Sequence, residues 1–457
     1  MMAELTLSQM AQAYGGTLMY PDCHFQSVST DSRHIDEGQL FVALRGERFD
    51  AHEFLPEVAT RVSGMVVERP VKDINVPQWV VPDTTEALGQ IALVNRKAFM
   101  GPVVAVTGSS GKTTVKEMIA TILGGSGPVL STKGNQNNHI GVPLTLLGLN
   151  SMHRYAVIEV GASAAGEVGY LCSLACPDIV LVNNVLPAHM AGFGSVENIA
   201  KAKGEIYQGV AAEGIAIINL DEPYADQWRG STKARVLTFS MTNQQADFTA
   251  KGLVVGNLGC YDFILVTPAG EAAIRLTLPG AHNVTNALAA AACAHAAGAE
   301  LGIIAAGLNK LEQVPGRMSL ARLPTGVTLI DDSYNANPGS VKAAIDALMN
   351  IAGYRVLVLG DMGELGDDEM RLHADIGRYA AEKGIDTLLA VGSLCINAVR
   401  EFGGNGKHFE SKEQLGEYFV GDVLETQLKS EVVVLVKGSR FMAMEDVVRL
   451  IKESGEK

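Results

Sequence analysis

Short apolar runs broken by glycine and polar turns recur along the whole chain, and their lengths and flanks separate buried strands from helices. Up to about residue 100, QLFVAL from Gln39, GMVVE from Gly64 and WVVP from Trp79 predict strands of a small mixed α/β unit. PVVAVT then reads as a buried strand that runs through GSSGKTT into a helical VKEMIATIL, the order strand, glycine loop, helix. Further strands are predicted at YAVIEV, DIVLVNN and GIAIINL, spaced by helical patterns such as SVENIAKAKGEIYQGV, so a mainly parallel sheet with crossover helices is expected. From Arg235 to Leu278 the pattern predicts short antiparallel strands. After VPGRM, from Val314, the strands VTLID, RVLVLG, TLLAV and VVVLV alternate with helices, the grammar of a second, Rossmann-like unit. The predicted class is α/β in three domains: 1–95, small and mixed; 96–313, a P-loop domain on a mainly parallel sheet; 314–457, Rossmann-like.

Length agrees, since 457 residues at about 150 per domain make three units. With 47% apolar and 19% charged residues, the chain can fill several cores. Its most apolar segment, ALAAAACAHAAGA from Ala287, is about thirteen residues, too short for a bilayer and expected as a buried helix. A formal charge of −14 argues against nucleic-acid binding, which needs a local excess of Lys and Arg. The cysteines form no CxxC and no zinc pattern, and Cys172 and Cys176 read as core on one helix face. That usage, with an N-terminus lacking a secretory pattern, leads to an expected cytoplasmic location without membrane insertion.

TGSSGKTT places Gly108, Ser109, Ser110, Gly111, Lys112, Thr113 and Thr114 where backbone N–H groups at a helix N-terminus can cradle phosphates. Lys112 would reach the terminal phosphates, and Thr113 would offer a hydroxyl to Mg²⁺. Val106 stands where the longer GxxxxGK[ST] loop has its first glycine. Glu159 ends the strand YAVIEV, on the side where open α/β sheets bind ligands, and a carboxylate there either holds a metal or meets solvent. His189 lies in the loop NNVLPAHMAGFGS on that same side. Lys203 sits on a helix, where a lysine is ordinarily solvated.

TGSSGKTTVKEM, IEVGAS, NNVLPAHMAGFGS with AKAKGEI, GAHNVTNALAAA, VPGRM, DDSYNANPGSVKAA, LGDMGELG and VKGSR, in this order and over essentially the whole chain, resemble the Mur ligases. That family's own loop has the shorter GxxGK[ST] form, which accounts for Val106. The resemblance implies an ADP-forming ligase of peptidoglycan precursor synthesis. Its reaction joins D-alanyl-D-alanine to UDP-N-acetylmuramoyl-tripeptide through an acyl phosphate. Lys112 and Thr113 are then expected to bind ATP and Mg²⁺, and Glu159 and His189 to hold metal. Lys203, fourteen residues after His189, is expected to be carbamylated and to add metal-binding oxygens. Asn283 and Asn286 match the adenine-contacting asparagines, and Arg317 and Asp332 the nucleotide contacts from the C-terminal domain. The segment STDSRHIDEGQLFVALRGERFDAH resembles the UDP-binding domain of the two later Mur ligases. Residues 1–95 thus become the UDP-substrate domain, with Ser32 and Arg33 as contacts, and Asn137 and Asn138 line the same channel. Where the family more often has DGH this chain has Asp50, Ala51 and His52, which raises the question of a glycine-only backbone.

A monomer is expected. The ligase adding the third amino acid is a near alternative, but its DNPR-type signature is replaced by DDSYNANP. Folylpolyglutamate synthase lacks this N-terminal domain. A P-loop switch without ligase activity would have no need of Glu159, His189 and Lys203 together.

Overall fold

The computed structural model describes residues 2–46, 49–256, 258–425, 427 and 431–454. Glu47 and Arg48, inside the UDP-domain segment, lie outside the described residues. The N-terminal sheet has five strands in the order Thr17–Met19, Gln78–Val80, Gly64–Val67, Leu40–Val42, Val28–Ser29. The first pair is antiparallel and the rest are parallel. All three predicted apolar runs supply strands. Ala51 opens a short 3₁₀ turn capped by Asp50 and does not take positive φ, so the position needs no glycine.

Helix α1, Thr84–Ala98, starts where the Asp83 side chain accepts from the N–H groups of Thr85 and Glu86, leaving fewer orphan donors in the first turn. Residue 95, expected to end the first domain, falls in its last turn. Asn95 Nδ2 donates to the carbonyls of Leu146 and Leu149, and Arg96 Nε donates to Ala175 O at 2.7 Å. One helix thus spans the boundary, and the buried hydrogen bonds of Asn95 and Arg96 fix it to the second unit.

The central sheet contains β1 (Val103–Thr107), β2 (Val129–Ser131), β3 (Tyr155–Glu159), β4 (Ile179–Val182), β5 (Ile215–Asn219), β6 (Arg235–Ser240), β7 (Phe248–Val255), β8 (Cys260–Thr267) and β9 (Gly270–Pro279). Their order is β9-β8-β7-β6-β5-β4-β1-β3-β2. Pairs from β2 through β7 are parallel, and β7-β8-β9 is antiparallel. The expectation of short antiparallel strands over 235–278 is therefore corrected twice. Strand β6 follows the helix Ala225–Ser231 and runs parallel to β5, as a crossover connection requires. Strands β7 to β9 have 8, 8 and 10 residues. In β8 Tyr261, Phe263 and Leu265 face the core while Asp262 is exposed, the alternation of a sheet solvated on one face.

Helices α2 (Lys112–Gly124) and α4 (Ala281–Ala296) pack on one face of this sheet. The opposite face takes the helix Glu167–Ala175 and α3 (Val196–Gly204). The alanine-rich run is buried throughout Ala287–Ala294, because small side chains let α4 lie close to the sheet. Cys172 is core, but Cys176 is the half-buried left-handed cap at φ 39°; the helix ends before the predicted shared face could form.

After the link at 314–318 come β10 (Ser319–Arg322), β11 (Thr328–Asp332), β12 (Tyr354–Gly360), β13 (Thr387–Val391), β14 (Gly406–Phe409) and β15 (Val432–Lys437). They are ordered β10-β11-β15-β12-β13-β14, parallel apart from the β10 edge. This is the predicted Rossmann-like arrangement.

Candidate functional site

The loop between β1 and α2 forms the floor of a cleft of about 980 Å³ between the central and C-terminal domains. Gly111, at φ 75°, caps α2, and a Cβ there would lie 2.7 Å from Asn183 Nδ2 and 2.8 Å from Asn286 Oδ1. Both the backbone angle and the close approach call for glycine. The loop is braced from the end of β4: Ser109 N donates to Asn184 O and Ser110 N to Asn184 Oδ1, each at 2.9 Å. Ser109 Oγ donates to Leu186 O at 3.0 Å. The anion-binding N–H groups of the α2 N-terminus thus face a cleft whose shape is set before any ligand enters.

Lys112 Nζ donates to Gly108 O at 2.8 Å. Burial pushes its pKa down, with Glu159 opposing and Arg317 adding to the fall. Thr113 links three elements: its hydroxyl donates to Glu159 Oε2 at 2.9 Å and accepts from Arg317 Nη2 at 3.1 Å. The Arg317 guanidinium stacks 3.9 Å from the Tyr334 ring centroid. Glu159, 2% exposed, also accepts from Asn137 Nδ2 at 2.8 Å. A carboxylate with about four acceptor sites keeps room for a cation after two such bonds.

His189 caps a short helix, Met190–Phe193, at φ 55°, and its Nδ1 pairs with the Glu364 carboxylate. Burial lowers its pKa; Glu364 works against this, while Lys112 and Lys203 add to it. Lys203, in the last turn of α3, is 1% exposed. Among the described residues its Nζ has no hydrogen-bond or ion-pair partner, only the Phe193 ring at 6.0 Å. Burial, then the Lys112 charge, drives its pKa well below the ordinary lysine value. An amine so placed is pressed toward its neutral, nucleophilic form.

Asn286 and Asn283 join the floor through amides: Asn183 Nδ2 donates to Asn286 Oδ1, and Asn286 Nδ2 to Asn283 Oδ1, each at 2.9 Å. From the C-terminal side, Asp332 pairs with the buried Lys437, and Met318 N donates to Asp332 Oδ1 at 3.2 Å. Asn138 lines the cleft while its Oδ1 accepts from the N–H groups of Ile140 and Gly141. The structure does not bring Ser32 and Arg33 there; Arg33 is exposed and forks onto Asp31 at 2.8 and 2.9 Å. Sequence reasoning did not single out Asn183, Asn184, Tyr334, Glu364 or Lys437. The paired asparagines closing DIVLVNN, at a strand's carboxyl end, were the available signal.

A second buried cluster, Asp361, His373 and Cys395, is internally satisfied. Asp361 accepts from Leu394 N and Cys395 N at 3.1 and 2.8 Å, and His373 accepts from Met362 N and contacts Glu369 O. Both imidazole nitrogens are in use, so the cluster braces a helix N-terminus.

With this geometry in hand, family models described as "Mur ligase middle domain" and "Mur ligase, glutamate ligase domain" match residues 106–294 and 316–440. The UDP-N-acetylmuramoyl-tripeptide--D-alanyl-D-alanine ligase of Escherichia coli K12 is 46% identical over 456 residues, 99% of this chain and 100% of that protein. The chain belongs to the Mur ligase family. Crystal structure I of MurF from Acinetobacter baumannii superposes on this Mur ligase with a TM-score of 0.93 at 37% identity, covering 99% of both chains. MurF of Thermotoga maritima in complex with ADP gives 0.83 at 27% identity, covering 94% of this chain and 98% of that one. In this Mur ligase, residues of signature segments spread from Ser109 to Arg440 line one cleft.

Proposed function

We propose that this Mur ligase joins D-alanyl-D-alanine to UDP-N-acetylmuramoyl-tripeptide, converting ATP to ADP and phosphate by way of an acyl phosphate, in the cytoplasm. The observation that carries the reading is one cleft that holds a phosphate loop and a buried carboxylate and is reached by Arg317 from the next domain; behind it Lys203, buried and without a hydrogen-bond or ion-pair partner among the described residues, lies near enough to feel the Lys112 charge. The named relatives supply the substrate pair.

A carboxylate does not condense with an amine at neutral pH. The tripeptide carboxylate therefore first takes the terminal phosphoryl group of ATP, and the dipeptide amine then displaces phosphate. Lys112 and the N–H group of Gly111 offset the charge on the transferring phosphoryl. Asn283 and Asn286 hold the adenine, and Asp332 with Arg317 holds the nucleotide from the opposite wall. Residues 1–95 carry the UDP end through Ser32 and Arg33, with Asn137 and Asn138 along the channel, 96–313 the chemistry, and 314–457 the acceptor.

Thr113, Glu159, His189 and a carbamylated Lys203 would hold Mg²⁺, which when bound neutralises phosphate charge. The donor set fits: the hydroxyl, the carboxylate and the imidazole suit a hard cation, and the buried amine of Lys203, unpartnered among the described residues and pressed toward its neutral form, is disposed to take up CO₂. Closure of the cleft excludes water from the acyl phosphate.

Phosphate release measured against a panel of UDP-muramoyl peptides and amino-acid or dipeptide acceptors tests the reading. Release should require the tripeptide and D-alanyl-D-alanine together. Release indifferent to both would make the protein an ATPase of another kind, and release with a free amino acid on the dipeptide precursor would make it the preceding ligase.

A further inference from the structure

Two residues bearing side chains hold left-handed backbone on either side of one domain contact, His189 at φ 55° and Glu364 at φ 60°. Such angles cost a residue with a Cβ free energy that glycine is spared, and they persist where surrounding contacts enforce them. Here the side chains meet, the Glu364 carboxylate lying against Nδ1 of His189. The backbones meet as well, since Ala191 N donates to Glu364 O at 3.4 Å. Glu364 is in turn set by its own domain: Gly363 N donates to Ser439 Oγ at 2.8 Å, and Ser439 N donates to Asp361 O at 3.0 Å.

A carboxylate only accepts, so Nδ1 must carry the ring hydrogen, and the neutral imidazole is left with its lone pair on Nε2. Among the described residues Nε2 has no hydrogen-bond partner. The contact is an ion pair that is not aligned as a hydrogen bond, so the nearby negative charge selects the tautomer without fixing the ring's orientation. The residue making that selection comes from the C-terminal domain, whereas the histidine belongs to the central one.

We propose that Glu364 is a positioning residue: carried in by the C-terminal domain, it holds His189 as the Nδ1–H tautomer and leaves the Nε2 lone pair for a divalent cation, so that cation affinity and domain closure are linked. This rests on the reading of His189 as a cation ligand. Acceptors behind a metal-bound histidine are typically worth about 10- to 100-fold in metal affinity. By linkage, whatever closure adds to cation binding, the cation adds to closure.

The test uses the full-length protein with ADP and Mn²⁺, free Mn²⁺ being read by electron paramagnetic resonance. Glu364→Ala should weaken Mn²⁺ binding about 10-fold or more. Glu364→Gln, whose amide oxygen still accepts from Nδ1–H, should lose less, and His189→Ala should lose at least as much as Glu364→Ala. Histidine ¹⁵N spectra, assigned by the His189→Ala difference, should show protonated Nδ1 and bare Nε2 in the wild type, with a shift toward Nε2–H in Glu364→Ala. Mn²⁺ affinity within twofold of wild type in Glu364→Ala, beside a weakened His189→Ala, overturns the proposal and leaves the ligand reading standing. An unchanged His189→Ala overturns both. A Glu364→Ala variant that loses melting temperature while its tautomer stays the same makes the contact structural and likewise overturns it.

Discussion

Lys112 and Lys203 are both lysines pressed by burial toward lower pKa, yet they are set differently. Lys112 reaches only a loop carbonyl, so its charge is free for a phosphoryl group, and Lys112→Ala should abolish ADP formation by 10³-fold or so while the cooperative melt survives. A variant near wild-type rate, or one without a cooperative melt, would contradict this. Lys203→Ala should be nearly inactive and partly rescued by small carboxylic acids at high concentration, which return oxygens to the cation site. Lys201, exposed on the same helix, should tolerate alanine; equal loss at both positions would make the effect one of helix stability. Glu222 gives a pH test away from the proposed cation ligands. Burial raises its carboxyl to about 7, against the N–H of Val185 and with Asp221 adding to the rise. The fold therefore binds its proton more tightly than the unfolded chain does, and stability falls as pH rises from about 4.5 to 7. Glu222→Gln should match wild type near pH 4 and exceed it by about 1–3 kcal/mol at pH 8, measured as denaturation midpoints; an equal difference at both pH values would remove the assignment.

At the scale of elements, the strands most legible in sequence were those buried on both faces, such as VVAVT and VVVLV, because short β-branched runs bounded by turn residues are what buried strands use. Strands β7 to β9 were misjudged for the converse reason: a half-solvated strand such as FTAKGLVV mixes polar and apolar positions, and its length does not show. The phosphate loop was legible because chemistry and backbone constrain the same residues. Asn183, Asn184 and Glu364 were not, since an amide or a carboxylate in a loop acquires meaning only from what the fold sets opposite it. The Asp361 cluster yields a prediction at this scale. Its carboxylate satisfies two N–H groups at the start of the helix Cys395–Phe402, so Asp361→Ala should cost about 1–3 kcal/mol. Chelators should leave the melt unchanged, and a chelator-sensitive melt would show that a metal, rather than hydrogen bonding, holds the cluster.

For the molecule as a whole, the two domain junctions are unlike. The C-terminal domain meets the central one at the cleft through Arg317 on Thr113 and Glu364 on His189, groups that a ligand there can replace, and outside it through Asn350 on the Tyr261 hydroxyl and the isolated bridge of Leu258 with Ile351. At the other junction the helix Thr84–Ala98 runs across the domain boundary; Asn95 hands two hydrogen bonds to the carbonyls of Leu146 and Leu149, and Arg96, one residue on, holds those of Ala175 and Cys176. Those bonds are buried or nearly so, and breaking them leaves donors with no water to turn to. In mechanical terms these junctions predict a lever on a fixed base: the first two domains are expected to move together, and the swing of the third about residues 314–318 to open and close the cleft. Fluorophore pairs make this visible. A pair across the first and second domains should report one distance with or without ATP and substrates, whereas a pair across the second and third should shorten when the cleft fills. Movement at the first pair equal to that at the second would show the base to be hinged too.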